Sequence, residues 1–214
     1  MSLCLRESFL GNAYYRFLQN RLLPHLQSMG LRPNQITLLG TAIAALVPGG
    51  FYIHPFAGVL LIIASGVADS LDGLMARQQY QTSVFGAFLD STLDRLSDFF
   101  YLGGFWVLFR ADPRNMLAAV IFFGAMLLTM LVSYVKARAE ALGGSCNVGL
   151  MERGARVVYL IIWGASIAIL PHTRSILLWV GLWIYCGLTL MTVVQRVLHV
   201  HNQVVSSTEA KPES

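Results

Sequence analysis

Residues 56–98 read FAGVLLIIASGVADSLDGLMARQQYQTSVFGAFLDSTLDRLSD, an apolar segment into which five aspartates have been set. The run Phe56 to Ala68 is too short to cross a bilayer, which takes about 20 apolar residues. Continued as a helix to Arg77 it is long enough, and it then carries Asp69 and Asp72 near its end. A polar link follows, and a second apolar segment, Val84 to Phe109, carries Asp90, Asp94 and Asp98 near its start. Charges inside a span are expensive, from about 2.5 kcal/mol each at a helix centre, so their default reading is functional.

Outward from this stretch the chain continues in the same manner. Ile36 to Ile53, Met116 to Val135, Val157 to Leu170 and Ile176 to Val194 are mostly apolar. Over the whole chain 56% of residues are hydrophobic and 12% charged, with mean hydropathy +0.61; a soluble domain carries about 25% charged residues. The expectation is an all-α integral membrane protein with six transmembrane helices, the fifth starting near Leu150. A chain of 214 residues accommodates one such domain, residues 31–202.

Before it, Leu10, Tyr14, Leu18, Leu22 and Leu26 recur every four residues among Arg16, Arg21 and His25. This predicts an amphipathic interfacial helix over residues 1–30, kinked at Pro24 and ended by Gly30. Arg32-Pro33-Asn34 then turns the chain into the first span. Val47-Pro48-Gly49-Gly50 and His54-Pro55 predict a structural hairpin at the far end of that span. Residues 203–214 are polar and read as a disordered tail.

Met1-Ser-Leu-Cys-Leu-Arg-Glu lacks the basic segment and apolar core of a cleavable signal, so none is expected. Cys4, Cys146 and Cys186 are odd in number and widely spaced, which predicts neither a disulfide framework nor a zinc site. With the N-terminus cytoplasmic, twelve of the 15 lysines and arginines fall on the cytoplasmic side and only Arg110, Arg114 and Arg174 on the other. That bias predicts cytoplasmic N- and C-termini in the cell membrane. It also assigns Arg6, Arg16, Arg21 and Arg196 to topology, so the net charge of +4 requires no nucleic-acid partner.

Asp69 and Asp72 are three apart and Asp90 and Asp94 four apart, so each pair occupies one helix face. The first helix arrives at the cytoplasmic side and the second leaves it, bringing the pairs to one depth. Four converging carboxylates repel one another unless cations intervene, and hard oxygen ligands select Mg²⁺, Mn²⁺ or Ca²⁺. Two such ions would neutralise a diphosphate and stabilise the entering and leaving oxygens of a displacement. The bland alternative is a set of aspartates capping helix ends.

In pattern form the stretch is DxxDGxxAR(x8)GxxxDxxxD, eight fixed positions over 26 residues from Asp69 to Asp94. This resembles the signature of the CDP-alcohol phosphotransferase family at every fixed position. The resemblance covers about residues 30 to 160, and implies an enzyme in which an alcohol attacks the phosphorus of a CDP-diacylglycerol-type lipid and CMP leaves. Asp69, Asp72 and Asp90 match its metal ligands for two Mg²⁺ or Mn²⁺ ions. Asp94 matches a residue that touches a metal and acts as base on the acceptor hydroxyl. Gly73 matches the close approach of cytidine to backbone, Arg77 a diphosphate contact and Ser83 a further nucleotide contact. Asn34, Gln35 and Thr37 match a segment near the CDP group, with an N-cap by Asn34 as the plain alternative. Gly86 and Ala76 suit helix packing and function equally. Asp98 is either a partner that orients Arg95 or a metal ligand, or half of a buried ion pair. A homodimer is also implied.

Lys136 and Arg138 close the fourth span and Arg153 and Arg156 open the fifth, on the side of the aspartates. Guanidinium groups bind phosphate in bidentate fashion, so this cluster suits a phosphorylated alcohol; the alternative is membrane anchoring with Glu140 and Glu152 as partners. Ser133 to Glu140, with Glu152, Arg153 and Arg156, looks like the branch of the family that makes phosphatidylinositol phosphate from inositol phosphate. Residues 85–95 are similar to that branch too. The glycerol-phosphate branch usually has proline and lysine where this chain has Ser91 and Arg95. A membrane prenyltransferase would carry two distant acidic motifs in a longer chain. A cation transporter would leave Gly73, Arg77 and Gly86 without a reason.

Overall fold

The computed structural model describes residues 9–78 and 83–209. Cys4, Arg6 and Lys211, used in the sequence reading, lie outside the described residues. Among the described residues nine α-helices follow one another: α1 Phe9–Phe17, α2 Leu23–Ser28, α3 Pro33–Ala45, α4 Val47–Ile53, α5 Pro55–Gln78, α6 Val84–Val107, α7 Asn115–Ala141, α8 Arg153–Ile169 and α9 Arg174–Glu209. Among the described residues there is no strand, as expected.

Among the described residues four stretches are long and apolar enough to cross a membrane: Pro33–Ile53, Pro55–Gln78, Asn115–Ala141 and Pro171–Val204. Their outward faces carry large apolar side chains such as Leu60, Phe123, Leu127, Trp183 and Leu190, all more than half exposed. In water such surface would aggregate; facing lipid it is at no disadvantage. The chain is a multi-pass membrane protein. The remaining long helices differ: α6 carries Asp90, Asp94, Arg95 and Asp98, and α8 has only 17 residues.

Helices α3 and α4 form one broken rod that packs on both α5 and α6. Helix α8 joins the other side of α5, while α7 and α9 pair and contact α6 and α8. The interior at one end is aromatic: Phe105 stacks on Trp163 with centroids 4.2 Å apart, and Phe109 meets Phe122 and Trp179 edge-on. Arg110, Arg114 and Arg174 belong to this end, where Arg114 covers Trp179 and Arg174 bonds the Leu108 carbonyl. The polar residues of interest lie at the opposite end.

Val47-Pro48-Gly49-Gly50 is not a hairpin. It forms helix α4, because a proline in the first turn has no N–H to satisfy and is pre-set for helical φ. The glycines serve the turn that follows: a Cβ on Gly50 would lie 3.1 Å from the Gly58 backbone, so α4 and α5 touch. His54 alone, extended at φ −160°, reverses the chain.

The N-terminal segment is helical and packs on the polar end of α5, with Leu18 and Leu23 buried against Ile36, Leu71, Leu74 and Met75. The repeat of four fails at Leu22, which is 37% exposed. A π turn, Leu18–Leu22, places the Leu23 N–H on the Leu18 carbonyl, so the inward residue comes five later instead. The distortion belongs to Pro24, whose ring excludes the regular bond one turn back. Gly30 ends the helix at φ +68°, as expected.

Two expectations at the C-terminal half change. Helix α9 runs to Glu209, so residues 203–209 continue a helix rather than a disordered tail, and Gln203 Nε2 donates to the Ser145 carbonyl at 3.0 Å. Arg196 is not an interfacial anchor: it is 3% exposed and donates from Nε to Val148 O at 2.9 Å and from Nη1 to Val132 O at 2.5 Å. It braces the non-helical segment before α8, whose Gly149 takes φ +112° against Thr192. Two carbonyl acceptors let a cation sit inside the helical array.

Candidate active site

Helix α5 ends and α6 begins at the polar end of the bundle, which brings Asp69, Asp72 and Asp90 together with one oxygen of each within 4.8 Å of the others. Asp72 is 5% exposed. Asp72 Oδ2 and Asp90 Oδ1 are buried without a hydrogen-bond partner. An unpaired buried carboxylate oxygen costs several kcal/mol, roughly the penalty of stranding an ion in a low dielectric. These orphaned oxygens therefore fit a divalent cation, and an all-oxygen donor set fits Mg²⁺ or Mn²⁺.

Asp94, expected as a fourth ligand, is held differently. Arg153 bridges it to Asp69, with Nη1 2.5 Å from Asp69 Oδ1 and Nη2 2.9 Å from Asp94 Oδ1. Arg95 Nη1 stands 4.0 Å from Asp94 Oδ2 and donates to the Ser91 carbonyl. Three of the four aspartates thus form one cluster, and an arginine occupies the space between two of the four.

A cavity of about 300 Å³ opens on one side of the cluster, lined by Asn34, Thr37, Asp72, Gly73, Ala76, Arg77, Ser83, Gly86 and Asp90. Asn34, Thr37, Gly73, Arg77 and Ser83 come together there as the sequence reading expects. Gln35 does not: its side chain accepts the Arg32 N–H at 2.9 Å, closing the first turn of α3. The N-cap of α3 is Arg32 rather than Asn34, because the helix starts two residues earlier than an Asn34 cap would imply, at Pro33. Ser83 has a structural task that the sequence reading missed, accepting the Gly86 N–H at 2.9 Å as N-cap of α6. A Cβ on Gly86 would lie 2.9 Å from that hydroxyl and 3.3 Å from Asn34 Oδ1, so glycine there serves packing. A Cβ on Gly73 would meet only the Arg77 guanidinium, at 3.5 Å, and would otherwise fill the cavity.

A second cavity, about 430 Å³, opens on the other side, lined by Asp94, Arg95, Lys136, Arg153, Arg156 and Arg196 among others. Lys136 Nζ lies 3.8 Å from Glu140 Oε1. Arg156 is 2% exposed and committed, with Nη2 2.7 Å from Asp98 Oδ2 and Nη1 donating to Met151 O at 2.9 Å. Asp98 is thus half of a buried ion pair, with Arg156 rather than Arg95 as partner. Arg138 is exposed and does not line this cavity, since its position on α7 faces away from Lys136's neighbours. The sequence reading missed Arg95 and Arg196 as lining residues. The signal for Arg196 was its setting, with Val193, Val194, Val197 and Leu198 around it.

The comparisons with known proteins agree with this geometry. The family model described as CDP-alcohol phosphatidyltransferase matches residues 31–193. The phosphatidylinositol phosphate synthase of Streptomyces avermitilis is 38% identical over 185 residues, 81% of this chain and 74% of that protein. The archaetidylinositol phosphate synthase of Methanothermobacter thermautotrophicus is 33% identical over 92% of this chain and 96% of its own. Among solved structures, Mycobacterium tuberculosis phosphatidylinositol phosphate synthase (PgsA1) with CDP-DAG bound matches with a TM-score of 0.72 at 30% identity, covering 84% of this chain and 91% of that one. The same enzyme in complex with manganese and citrate matches with a TM-score of 0.71 at 31% identity, over 84% and 87%.

Proposed function

The chain belongs to the CDP-alcohol phosphatidyltransferase family, and from that premise we propose that it transfers the phosphatidyl group of CDP-diacylglycerol to inositol 1-phosphate, releasing CMP. It is a metal-dependent phosphatidyltransferase of phospholipid synthesis. The observation that supports a phosphorylated acceptor is the pair of cavities on either side of one carboxylate cluster, and the inositol part of the assignment rests on the inositol phosphate synthases among the relatives. Asp72 and Asp90 line the cavity with Gly73 and Arg77; Asp94 lines the one with Lys136 and three further arginines besides Arg95. A nucleotide diphosphate and a second phosphate-bearing substrate can then meet across the aspartates.

In this reading two divalent ions, Mg²⁺ or Mn²⁺, held by Asp69, Asp72, Asp90 and Asp94, supply charge neutralisation at the diphosphate. Gly73 gives the cytidine its backbone approach, Arg77 contacts the diphosphate, and Asn34, Thr37 and Ser83 border the nucleotide. Asp94 accepts the proton of the attacking hydroxyl. Lys136 and Arg153 bind the acceptor phosphate, while Arg156 holds the wall through Asp98. In this reading there are six spans, with α6 and α8 as the third and fifth, and the lysine and arginine bias supports both termini and the active site on the cytoplasmic side, with the N-terminal helix in the interface. The family resemblance adds a homodimer, testable by crosslinking in membranes.

The test is CMP release from CDP-diacylglycerol by the purified protein with inositol 1-phosphate, glycerol 3-phosphate, serine, free inositol or glycerol as acceptor. Turnover with inositol 1-phosphate well above the others, abolished without Mg²⁺ or Mn²⁺, is expected. Preference for an unphosphorylated alcohol would refute the acceptor assignment.

A further inference from the structure

Arg153 touches two of the four motif aspartates, Asp69 and Asp94, and it lines two spaces at once. One is the basic cavity of about 430 Å³ with Lys136; the other is a space of about 10 Å³ between Asp69, Asp72 and Asp94. Its two terminal nitrogens sit on Asp69 and Asp94, where a cation bridging α5 and α6 would sit. Its Nε is buried with no hydrogen-bond partner, so this posture leaves one donor unused. Arg153 is also the first residue of α8, directly after a non-helical segment, which gives the side chain an anchor outside the α5 and α6 pair. Meanwhile Asp69, Asp72 and Asp90 form a complete three-carboxylate group without Asp94.

We propose that Arg153 is a built-in surrogate for the second divalent ion, and that its displacement from Asp69 and Asp94 arms the acceptor cavity. This rests on the two-ion reading above. The first ion enters at Asp69, Asp72 and Asp90, sharing only Asp69 with the guanidinium and taking the unpartnered oxygens of Asp72 and Asp90. The second must compete with it, because Asp94 cannot satisfy both in the same place. Once released, Arg153 turns its fork towards the cavity it already lines and adds a bidentate anion site beside Lys136. Metal loading and acceptor-phosphate binding are then coupled, and the coupling is reciprocal: an anion that captures Arg153 strengthens the second ion.

The experiment uses the purified full chain in detergent, without CDP-lipid, titrated with Mn²⁺ and followed by electron paramagnetic resonance and calorimetry, with and without sulfate as a tetrahedral anion that keeps Mn²⁺ soluble. The wild type should bind one ion tightly and a second weakly, and sulfate should tighten the second alone. Arg153→Gln should tighten the second ion by roughly tenfold to a hundredfold, the scale of a charge-assisted contact, and erase the sulfate effect. A first ion that still binds at Asp69, Asp72 and Asp90 in the variant reports an intact fold. Where the glutamine variant does not fold, Arg153→Lys serves, since an ammonium cannot bridge both carboxylates; it should give a smaller tightening. An unchanged second ion in the variant that folds overturns the surrogate role and leaves the two-ion reading standing. Binding of a single Mn²⁺ by wild type and variant alike, even with CDP-diacylglycerol added, overturns both.

Discussion

Asp98 on α6 and Arg156 on α8 lie 2.7 Å apart through Oδ2 and Nη2, and neither is more than 4% exposed. The pair sits one turn beyond Asp94 and ties the helix carrying the proposed base to the helix that begins with Arg153. Removing one member of a buried pair strands the other, at a cost of about 3 to 5 kcal/mol. Asp98→Asn should therefore lower the thermal unfolding midpoint in detergent sharply. The double variant Asp98→Leu with Arg156→Met should recover much of that loss, and a double variant as unstable as the single would show that charge pairing is not the reason.

Asp94 is expected to be needed for turnover and dispensable for the nucleotide half of the site. Asp94→Asn keeps the shape but cannot accept a proton, so kcat should fall by roughly 10²- to 10⁴-fold, the usual yield of a general base. CDP-diacylglycerol binding, measured by calorimetry, should stay within a small factor of wild type. A normal transfer rate in this variant removes Asp94 from the base role.

Chelation with EDTA should abolish activity, and Mg²⁺ or Mn²⁺ should restore it. Asp72→Ala and Asp90→Ala each delete a carboxylate whose buried oxygen lacks a partner, so both should lose the ion itself. Excess Mg²⁺ should not rescue either. Rescue at high metal would mark the deleted residue as peripheral.

The two cations at the end of α7 should behave differently although they stand two residues apart. Lys136 lines the acceptor cavity and Arg138 is exposed outside it. Lys136→Ala should raise the KM for inositol 1-phosphate by about tenfold or more, the value of a hydrogen bond to a charged group. Arg138→Ala should leave it unchanged. Equal effects from the two would count against the cavity as the acceptor site.

Much of this architecture was legible in advance because it is written in local spacing. Apolar runs marked the long helices, and three- and four-residue intervals aligned Asp69 with Asp72 and Asp90 with Asp94. What was not legible depends on tertiary partners. Arg156 and Arg196 count as positive charges in a sequence, yet one is paired with Asp98 from a helix far away in the chain and the other is hydrogen-bonded to the carbonyls of residues 132 and 148. Arg153's grip on Asp69 and Asp94 likewise joins three helices. Gln35 and Ser83 suggest ligand contacts in the sequence because hydrogen-bonding side chains serve caps and nucleotides alike, and the backbone N–H that each one holds is fixed only by the folded helix starts. The failed repeat at Leu22 has the same origin, since a proline's steric demand was absorbed by the turn before it.

Helix α8 has 17 residues, so at 1.5 Å per residue it rises about 26 Å, against a hydrocarbon layer about 30 Å thick. In the proposed six-span arrangement, with α8 as the fifth span, a short span beside long ones would draw the membrane surface down to meet it. The mouth of the basic cavity, formed where α8 begins, is then the floor of a dimple rather than a port at the level of the headgroups. A water-soluble substrate descends into that dimple, while a membrane-bound one reaches the same depth by sliding sideways with its chains still in oil. Helix length thereby sets the level at which two substrates of opposite solubility come within reach of each other.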